Sequence, residues 1–168
     1  MELQPLEDQD IPLVAEWMAK PENHCWLRFG PGVHTVGAAT LKLMARRDLH
    51  MLRLFTAEAE GPPIGIVALS EVDRAFKTAT LWYVLGEAAY RGHGFASRAV
   101  KELLTEGFNA GLVAVNAWAV DANVPSIRVL ERNHFRLIGR QRMCHWMDGR
   151  PHDRLLFDLI ASEHREQP

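Results

Sequence analysis

A glycine-containing turn between an apolar strand and an amphipathic helix constrains the fold of this chain more than any other feature. The turn follows the strand-like run 78–85, and apolar side chains then recur at helical spacing over residues 95–109. Its residues are Arg91, Gly92, His93, Gly94, Phe95 and Ala96. Glycine permits positive φ and close backbone approach, while the first turn of a helix exposes unpaired N–H groups. The sequence therefore predicts a cradle for phosphate, to which Arg91 adds positive charge.

The same six residues are also compatible with an ordinary strand-to-helix turn, because a single Gly-x-Gly is a weak motif. They lack the third glycine of a dinucleotide-binding fingerprint. They also lack the Gly-Lys-Ser/Thr of a nucleotide triphosphate loop. Both nucleotide-binding classes are therefore disfavoured. Features elsewhere in the sequence are needed to distinguish a phosphate cradle from a plain turn.

The periodicity of apolar residues predicts the order helix, helix, three strands, helix, strand, helix and two strands. Asp10 with Pro12 indicates the start of the first helix, Thr35 is predicted to cap the second, and residues 21–32 are predicted to form a loop. The later predicted elements are strands 51–57, 64–72 and 78–85, helix 95–109, strand 113–120, helix 125–133, and a hairpin of strands 136–147 and 152–160. This order predicts a mixed α/β layer structure in a single domain, 1–168, with a frayed tail over 161–168.

Composition excludes several classes of function. The 168 residues carry a formal net charge of −2, which argues against a nucleic-acid binder that works through bulk charge. Cys25 and Cys144 match no metal-ligand or redox spacing, so we expect reduced thiols, no metal and a cytoplasmic location. Residues 1–10 carry no apolar run, and no segment approaches the ~18 apolar residues of a membrane span. We therefore expect neither a signal peptide nor a membrane-spanning segment.

Two blocks in sequence order resemble the GNAT N-acetyltransferase superfamily. Arg91-x-x-Gly94-x-Ala96 resembles the acetyl-CoA signature of that family, Gln/Arg-x-x-Gly-x-Gly/Ala, and lies between a strand and an amphipathic helix as the signature does. Asn123-x-x-Ser126 resembles the start of the next family block. The order of the blocks is more specific than either block alone, and it favours the phosphate cradle over the plain turn.

Flanking segments resemble the ribosomal-protein N-acetyltransferase (RimJ/RimL) branch of the family. These are Ile-Gly-Ile at 64–66 and Asp-Gly-x-x-His-Asp at 148–153, while His134-Phe135 stands where the family usually has Gly-Phe. The resemblance covers residues 64–160, and the first sixty residues match only in layout. It implies an α/β (α+β mixed) GNAT fold with a central, mostly antiparallel mixed sheet, a splayed strand pair and flanking helices.

The resemblance implies an acyl-CoA-dependent N-acyltransferase that moves an acetyl group from acetyl-CoA directly to a primary amine of a small molecule, amino sugar, amino acid or protein N-terminus. Pantetheine then lies along strand 78–85 like an added strand, and a backbone N–H near Val84 polarises the thioester carbonyl. The implied coenzyme A-binding residues are Tyr83, Val84, Leu85, Arg91, Gly92, His93, Gly94, Phe95, Ala96, Ser97, Asn123 and Ser126. Two alternatives stay open: a non-catalytic acyl-CoA-binding or regulatory module, and an acyltransferase with a different acyl donor.

The chain departs from family habit at two catalytic positions. Leu130 stands where many relatives carry a tyrosine that protonates the thiolate, so Ser126, the substitute in RimL-type relatives, is the predicted acid. Thr80 stands where relatives often place a glutamate base. Candidate replacement bases are Glu71, Asp73 and His145, each of which is also compatible with a surface or structural role.

Acceptor recognition in this family comes from the N-terminal helices and the C-terminal hairpin. The predicted acceptor-binding residues are Trp26, Arg28, Trp82 and Trp146, since tryptophan and arginine are favoured at binding surfaces. Trp17 and Trp118 are predicted to belong to the core. The arginines suggest an acceptor with carboxylate or phosphate character. The family leads us to expect a homodimer through the C-terminal hairpins, and no nucleic-acid or membrane partner.

Overall fold

Seven strands and six α-helices make up the part of the chain that the computed structural model describes, residues 1–28 and 36–165. The strands are β1 (Leu3–Pro5), β2 (Met51–Thr56), β3 (Pro63–Asp73), β4 (Thr78–Leu85), β5 (Ala114–Val120), β6 (Arg136–Met147) and β7 (Arg150–Ile160). The helices are α1 (Ile11–Ala19), α2 (Pro21–His24), α3 (Ala38–Ala45), α4 (Phe95–Asn109), α5 (Val124–Arg132) and α6 (Ala161–Arg165). Within these described ranges no helix is both long and apolar enough to cross a membrane. The predicted cap Thr35 lies outside the described residues.

One mixed sheet carries the strands in the order β1-β2-β3-β4-β5-β7-β6. Among its described strands, β4 and β5 run parallel, and every other neighbouring pair is antiparallel. β4 pairs with β5 only over residues 78–80, opposite 114–116, but it stays paired with β3 as far as Leu85. The two parallel strands therefore part after Thr80 and leave a gap. The predicted mostly antiparallel mixed sheet with a splayed strand pair is confirmed.

Helices cover both faces of the sheet, and the alternation of side chains along β4 decides which residues meet them. Leu81 and Tyr83 belong to the cluster around α4, with Leu103. Trp82 and Val84 belong to the cluster around α1 and α3 on the opposite face. Because successive residues of a strand point to opposite faces, β4 contributes to both layers and to both walls of the gap.

The C-terminal segment is ordered where fraying was predicted. Residues 161–165 form α6, whose first N–H, at Ala161, donates to the carbonyl oxygen of Val113 at 3.0 Å. Glu163 pairs with Arg136 at 2.6 Å. The prediction of a frayed tail is therefore wrong for residues 161–165, because long-range contacts fix a segment whose local sequence is polar.

Two short elements in the N-terminal part of the chain were not predicted. α2 occupies the start of the segment predicted as a loop, and the N–H of Cys25 donates to the carbonyl oxygen of Pro21 at 3.3 Å. β1 adds to the edge of the sheet by pairing with β2, with Leu3 opposite Phe55. Both elements are too short for periodicity to reveal, and tertiary contacts with their neighbours stabilise them.

Candidate active site between two parting strands

A cleft of about 1340 Å³ opens where β4 and β5 part. Its walls come from both strands, from the turn before α4, from α5 and from the segment between α1 and α3. This volume exceeds the ~300–1,000 Å³ of common small-ligand pockets, so the cleft has room for two reactants. In residues 1–28 and 36–165, no three His, Cys, Asp or Glu side chains are grouped in a way that could hold a metal ion.

The glycine turn has the geometry of an anion cradle. Gly92 and Gly94 have φ angles of 80° and 78°, and Gly94 is the N-cap residue from which α4 starts at Phe95. A Cβ at either glycine would meet nothing within 4 Å, so backbone conformation, and not crowding, requires glycine here. The turn therefore directs the unpaired N–H groups of the first turn of α4 into the cleft mouth.

Side chains around the turn divide into those that line the cleft and one that does not. Arg91, Phe95, Ala96 and Ser97 line it. His93 is absent from the wall: its ring is exposed, and Nδ1 donates to the carbonyl oxygen of Arg91 at 3.0 Å. That bond keeps the imidazole within the turn, so any contact of His93 with coenzyme A stays a prediction.

Ser126 meets a tyrosine across the gap. Its Oγ lies 2.7 Å from Oη of Tyr83, which projects from β4. Burial raises the pKa of the Tyr83 phenol well above its usual range, against a smaller opposing effect of the hydrogen bond with Ser126. The phenol is therefore protonated at neutral pH, and its one hydrogen can go to Ser126 Oγ or to the carbonyl oxygen of Ser126, 3.3 Å away. When it goes to Oγ, the serine hydroxyl hydrogen is free to turn into the cleft. The sequence contained both residues but no sign of their pairing, which needs the strand and α5 to be set side by side.

Two polar side chains hold α5 and α4 in position beside the serine. Asn123 Oδ1 accepts a hydrogen bond from the N–H of Ser126 at 3.2 Å, as an N-cap does, and Asn123 also lines the cleft. Asn133, 3% exposed, donates through Nδ2 to Oγ and to the carbonyl oxygen of Ser97, both at 3.1 Å. These bonds fasten the first turn of α4 to the end of α5, so the turn and Ser126 share one rigid wall.

Glu71 lies beside Thr80, a position at which the sequence resemblance implies that relatives often have a glutamate. Thr80 occupies that position here, and its Oγ1 donates to Oε2 of Glu71 at 3.1 Å. Glu71 lies in an irregular stretch of β3, where the pairing with β4 shifts between Ser70 and Asp73, and its φ of 54° is unusual for a residue other than glycine. Both side chains line the cleft. A carboxylate therefore stands at this end of the cleft, supplied by the neighbouring strand.

His50 lines the same end of the cleft. Met51 pairs with Leu69, and the N–H of Val72 donates to the carbonyl oxygen of Leu49 at 3.0 Å, so the start of β2 lies against the Glu71 stretch. Burial, and then the charge of Arg47, lower the pKa of His50 below its usual range, while Glu71 acts in the opposite direction. The imidazole is therefore neutral at pH 7, and its Nδ1 is buried without a hydrogen-bond partner among the described residues.

Asp73 and His145 do not provide the base that was considered for them. Asp73 Oδ1 accepts from the N–H groups of Ala75 and Phe76, each at 2.9 Å, so it closes the β3–β4 turn away from the cleft. His145 has both ring nitrogens engaged, because Nε2 donates to the carbonyl oxygen of Cys25 at 2.6 Å and Nδ1 accepts from Arg154 at 3.1 Å. The structure therefore gives both residues positioning contacts, and neither side chain lines the cleft beside Thr80 and Glu71.

The tryptophans are distributed differently from the prediction. Trp26 and Trp82 line the cleft as expected, as does Arg28, and Trp82 Nε1 donates to Ser70 Oγ at 2.7 Å. Trp17 is fully buried, so its prediction as core is confirmed. Trp118 instead forms part of the cleft wall. Trp146 is 71% exposed and does not line the cleft, because it alternates with the inward-facing His145 on β6.

Comparisons with known proteins agree with this geometry. An acetyltransferase (GNAT) domain model matches residues 1–136, which extends the resemblance to the first residue and leaves most of the β6–β7 hairpin outside the match. An uncharacterized N-acetyltransferase, p20 of Bacillus licheniformis, is 25% identical over 96% of this chain and 93% of its own length.

Solved structures share the fold. Spermidine N-acetyltransferase from Vibrio cholerae in complex with CoA and spermine superposes with a TM-score of 0.85, at 16% identity, over 98% of each chain. Mycobacterium smegmatis RimJ in complex with CoA-disulfide gives a TM-score of 0.77 at 22% identity, over 96% of this chain and 82% of that one. The domain model, the cradle and the parted strands lead to one conclusion: the chain belongs to the GNAT acetyltransferase family and is an acyl-CoA-dependent N-acetyltransferase.

Proposed function

We propose that this chain transfers an acetyl group from acetyl-CoA directly to a primary amine, within a single domain and in the cytoplasm. One observation carries the proposal: a continuous cleft runs from the glycine turn, past the paired Tyr83 and Ser126, to Thr80 and Glu71. The turn suits a pyrophosphate, and the edge of β4 beyond Thr80, which β5 leaves unpaired, suits the amides of pantetheine. The free thiols of Cys25 and Cys144 accord with a reducing compartment.

Residues on opposite sides of the cleft carry out the two proton transfers, one from the acceptor amine and one to the thiolate of CoA. Acetyl-CoA supplies the thioester, whose C–S bond breaks as the new C–N bond forms. Glu71, oriented by Thr80, accepts the proton of the acceptor ammonium directly or through one water molecule. Ser126 Oγ, oriented by Tyr83, donates a proton to the departing thiolate sulfur, and the second proton that the attacking nitrogen loses as it becomes an amide restores the serine hydroxyl. A backbone N–H of β4 near Val84, whose side chain lines the cleft, holds the developing oxyanion.

Two assays test the proposal. Isothermal titration with CoA and with acetyl-CoA measures binding, and thiol release over a panel of small amines, amino acids, amino sugars and peptides measures transfer. We expect micromolar binding of both ligands and release of free thiol with at least one amine. Absence of binding overturns the proposal, whereas binding with a silent panel would favour a non-catalytic acyl-CoA-binding module. Comparing acetyl-CoA with longer acyl-CoA donors in the same assay separates acetyl transfer from transfer of a different acyl group.

Gly94→Ala is expected to weaken binding of CoA about tenfold, because a Cβ disfavours the left-handed φ of 78° and turns the N–H groups of the cradle away. Gly111→Ala is the matched control. Gly111 has a φ of 100° just after the other end of α4, and a Cβ there also meets nothing within 4 Å. Both variants lose a similar amount of stability, but only the change at Gly94 should alter the Kd in titration. Equal Kd values for the two variants would contradict the cradle.

We propose that the chain forms a homodimer through β6, the last strand of the sheet. Four large apolar side chains of this strand are 58% to 71% exposed: Leu137, Ile138, Met143 and Trp146. Trp146→Glu is expected to convert a particle of twice the 19.0 kDa chain mass to a monomer in light scattering coupled to size exclusion. Phe76→Glu, at an equally exposed aromatic in the β3–β4 turn, should leave the mass unchanged. A monomeric wild-type protein would refute the dimer.

A further inference from the structure

A buried guanidinium that has no counter-ion among the described residues faces the cleft. Arg154 of β7 is 8% exposed, pairs with Val120 of β5, and lines the cleft wall. In residues 1–28 and 36–165 no carboxylate lies within ion-pair distance of it. Removing an unpaired charge from water is costly, so an anion bound beside this guanidinium would offset part of that cost.

Neutral neighbours fix the direction of this guanidinium. Its central carbon lies 4.1 Å from the ring centroid of Trp118, and one terminal nitrogen donates to Nδ1 of His145 at 3.1 Å. The other ring nitrogen of His145 is anchored on the carbonyl oxygen of Cys25 at 2.6 Å. These contacts orient Arg154 and neutralise none of its charge. Its Nε is buried without a hydrogen-bond partner among the described residues, so a donor remains for a ligand.

The side chains of β5 alternate between the two faces of the sheet, and this alternation shows that Arg154, on the neighbouring strand β7, lies on the acceptor side of the cleft. Ala117 and Ala119 of β5 belong to the core around α4, the layer that carries Ser126 and the cradle, so Trp118 projects to the opposite face. Arg154 stacks on that ring, and His145 beneath it reaches the segment after α2, which also contributes Trp26 and Arg28 to the cleft. A second cation, Arg28, therefore accompanies Arg154 on the wall that the acetyl acceptor approaches.

We propose that Arg154 binds a carboxylate or phosphate group of the acceptor, so that the preferred substrates are primary amines that carry an anionic group. This inference rests on the proposed acetyl transfer and specifies its substrate class. A guanidinium matches both anions, because two of its N–H groups can bond two oxygen atoms at once. Burial lowers the pKa of the Arg154 guanidinium, and the positive charge of Arg28 adds to this effect, so a bound anion relieves both. The same arrangement disfavours polycationic amines.

Matched amine pairs test the substrate class without turnover. The protein saturated with CoA is titrated calorimetrically with leucine and leucinamide, with glucosamine 6-phosphate and glucosamine, and with spermidine. We expect the anionic member of at least one pair to bind tenfold or more tightly than its neutral partner, and spermidine to bind more weakly. The first pair reports a carboxylate site and the second a phosphate site. Equal affinity within both pairs, or tighter binding of spermidine, overturns the proposal.

Variants then assign the preference to a residue. Arg154→Gln is expected to abolish the preference within the responding pair, and Arg154→Lys to retain part of it, because lysine keeps the charge without the planar fork. Arg150→Gln removes the same charge from an exposed position of the same strand and should retain the preference in full. A full preference in a folded Arg154→Gln variant overturns the assignment. Titration of the wild type with CoA alone distinguishes failure of the proposed function from failure of this inference. If the wild type does not bind CoA, the proposed function is refuted. If it binds CoA but shows no preference for anionic amines, only this inference is refuted.

Discussion

Ser126→Ala is expected to lower kcat about 10²-fold and to leave the Kd of acetyl-CoA within about threefold of the wild-type value. The reason is that Ser126 Oγ stands at the cofactor wall of the cleft, where its hydroxyl hydrogen can turn toward the sulfur when Tyr83 donates to Oγ. Alanine removes the proton donor and keeps the backbone that Asn123 caps. Thiol release at saturating acetyl-CoA and amine measures kcat, and titration measures Kd. Ser162→Ala, at an exposed position of α6, is the control and should change neither.

Tyr83→Phe separates the acid from the group that positions it. The phenol acts only through the serine, so the single change is expected to lower kcat about tenfold, and the double variant should be no slower than Ser126→Ala alone. Multiplicative losses in the double variant would contradict this linkage. Because burial raises the pKa of the Tyr83 phenol, the wild-type rate should show no loss from its ionisation below about pH 10.

Local sequence patterns were sufficient for the cofactor half of the site. The spacing of apolar residues predicted that α4 runs from Phe95 to Asn109, and the glycine pattern predicted the turn before it. The Gly94 N-cap and the helix it starts are set by neighbouring residues, so a short window of sequence contains the relevant information. In the next block, His134 stands where the family usually has glycine. Its φ of 61° is a conformation for which glycine is favoured, so the family's preference at this position follows from the local backbone.

The acceptor half depends on contacts that sequence spacing does not reveal. Glu71 was one of three candidate bases, and its bond with Thr80 depends on a shifted pairing between β3 and β4. On β6, the pairing with β7 shifts by one residue between Leu137 and Gly139, which changes the parity of the residues that follow. His145 consequently faces inward and Trp146 outward, which the order of residues alone could not determine.

Glu71→Gln is expected to lower kcat/KM about 10²-fold at neutral pH, with no change in the affinity for CoA. The change keeps the shape of the side chain and removes the group that accepts the ammonium proton beside Thr80. Thr80→Val removes the orienting hydroxyl and should cost about tenfold or less, the effect of one hydrogen bond to a charged group. Glu60→Gln, at an exposed turn residue, is the control for loss of a carboxylate and should retain full activity. Rates equal to the wild type in both cleft variants would remove Glu71 from the mechanism.

Glu71→Gly distinguishes a catalytic carboxylate from a structural one. A φ of 54° costs a residue with a side chain ~1–2 kcal/mol, and glycine adopts it freely. A structural Glu71 would stabilise this stretch through Thr80, so its loss would lower the unfolding midpoint. A catalytic Glu71 is held in a strained conformation by its surroundings, so glycine should leave the midpoint unchanged or raise it while kcat/KM falls as far as in Glu71→Gln. Thermal unfolding and thiol release on the same preparation decide the matter, because the two roles predict opposite combinations of stability and rate.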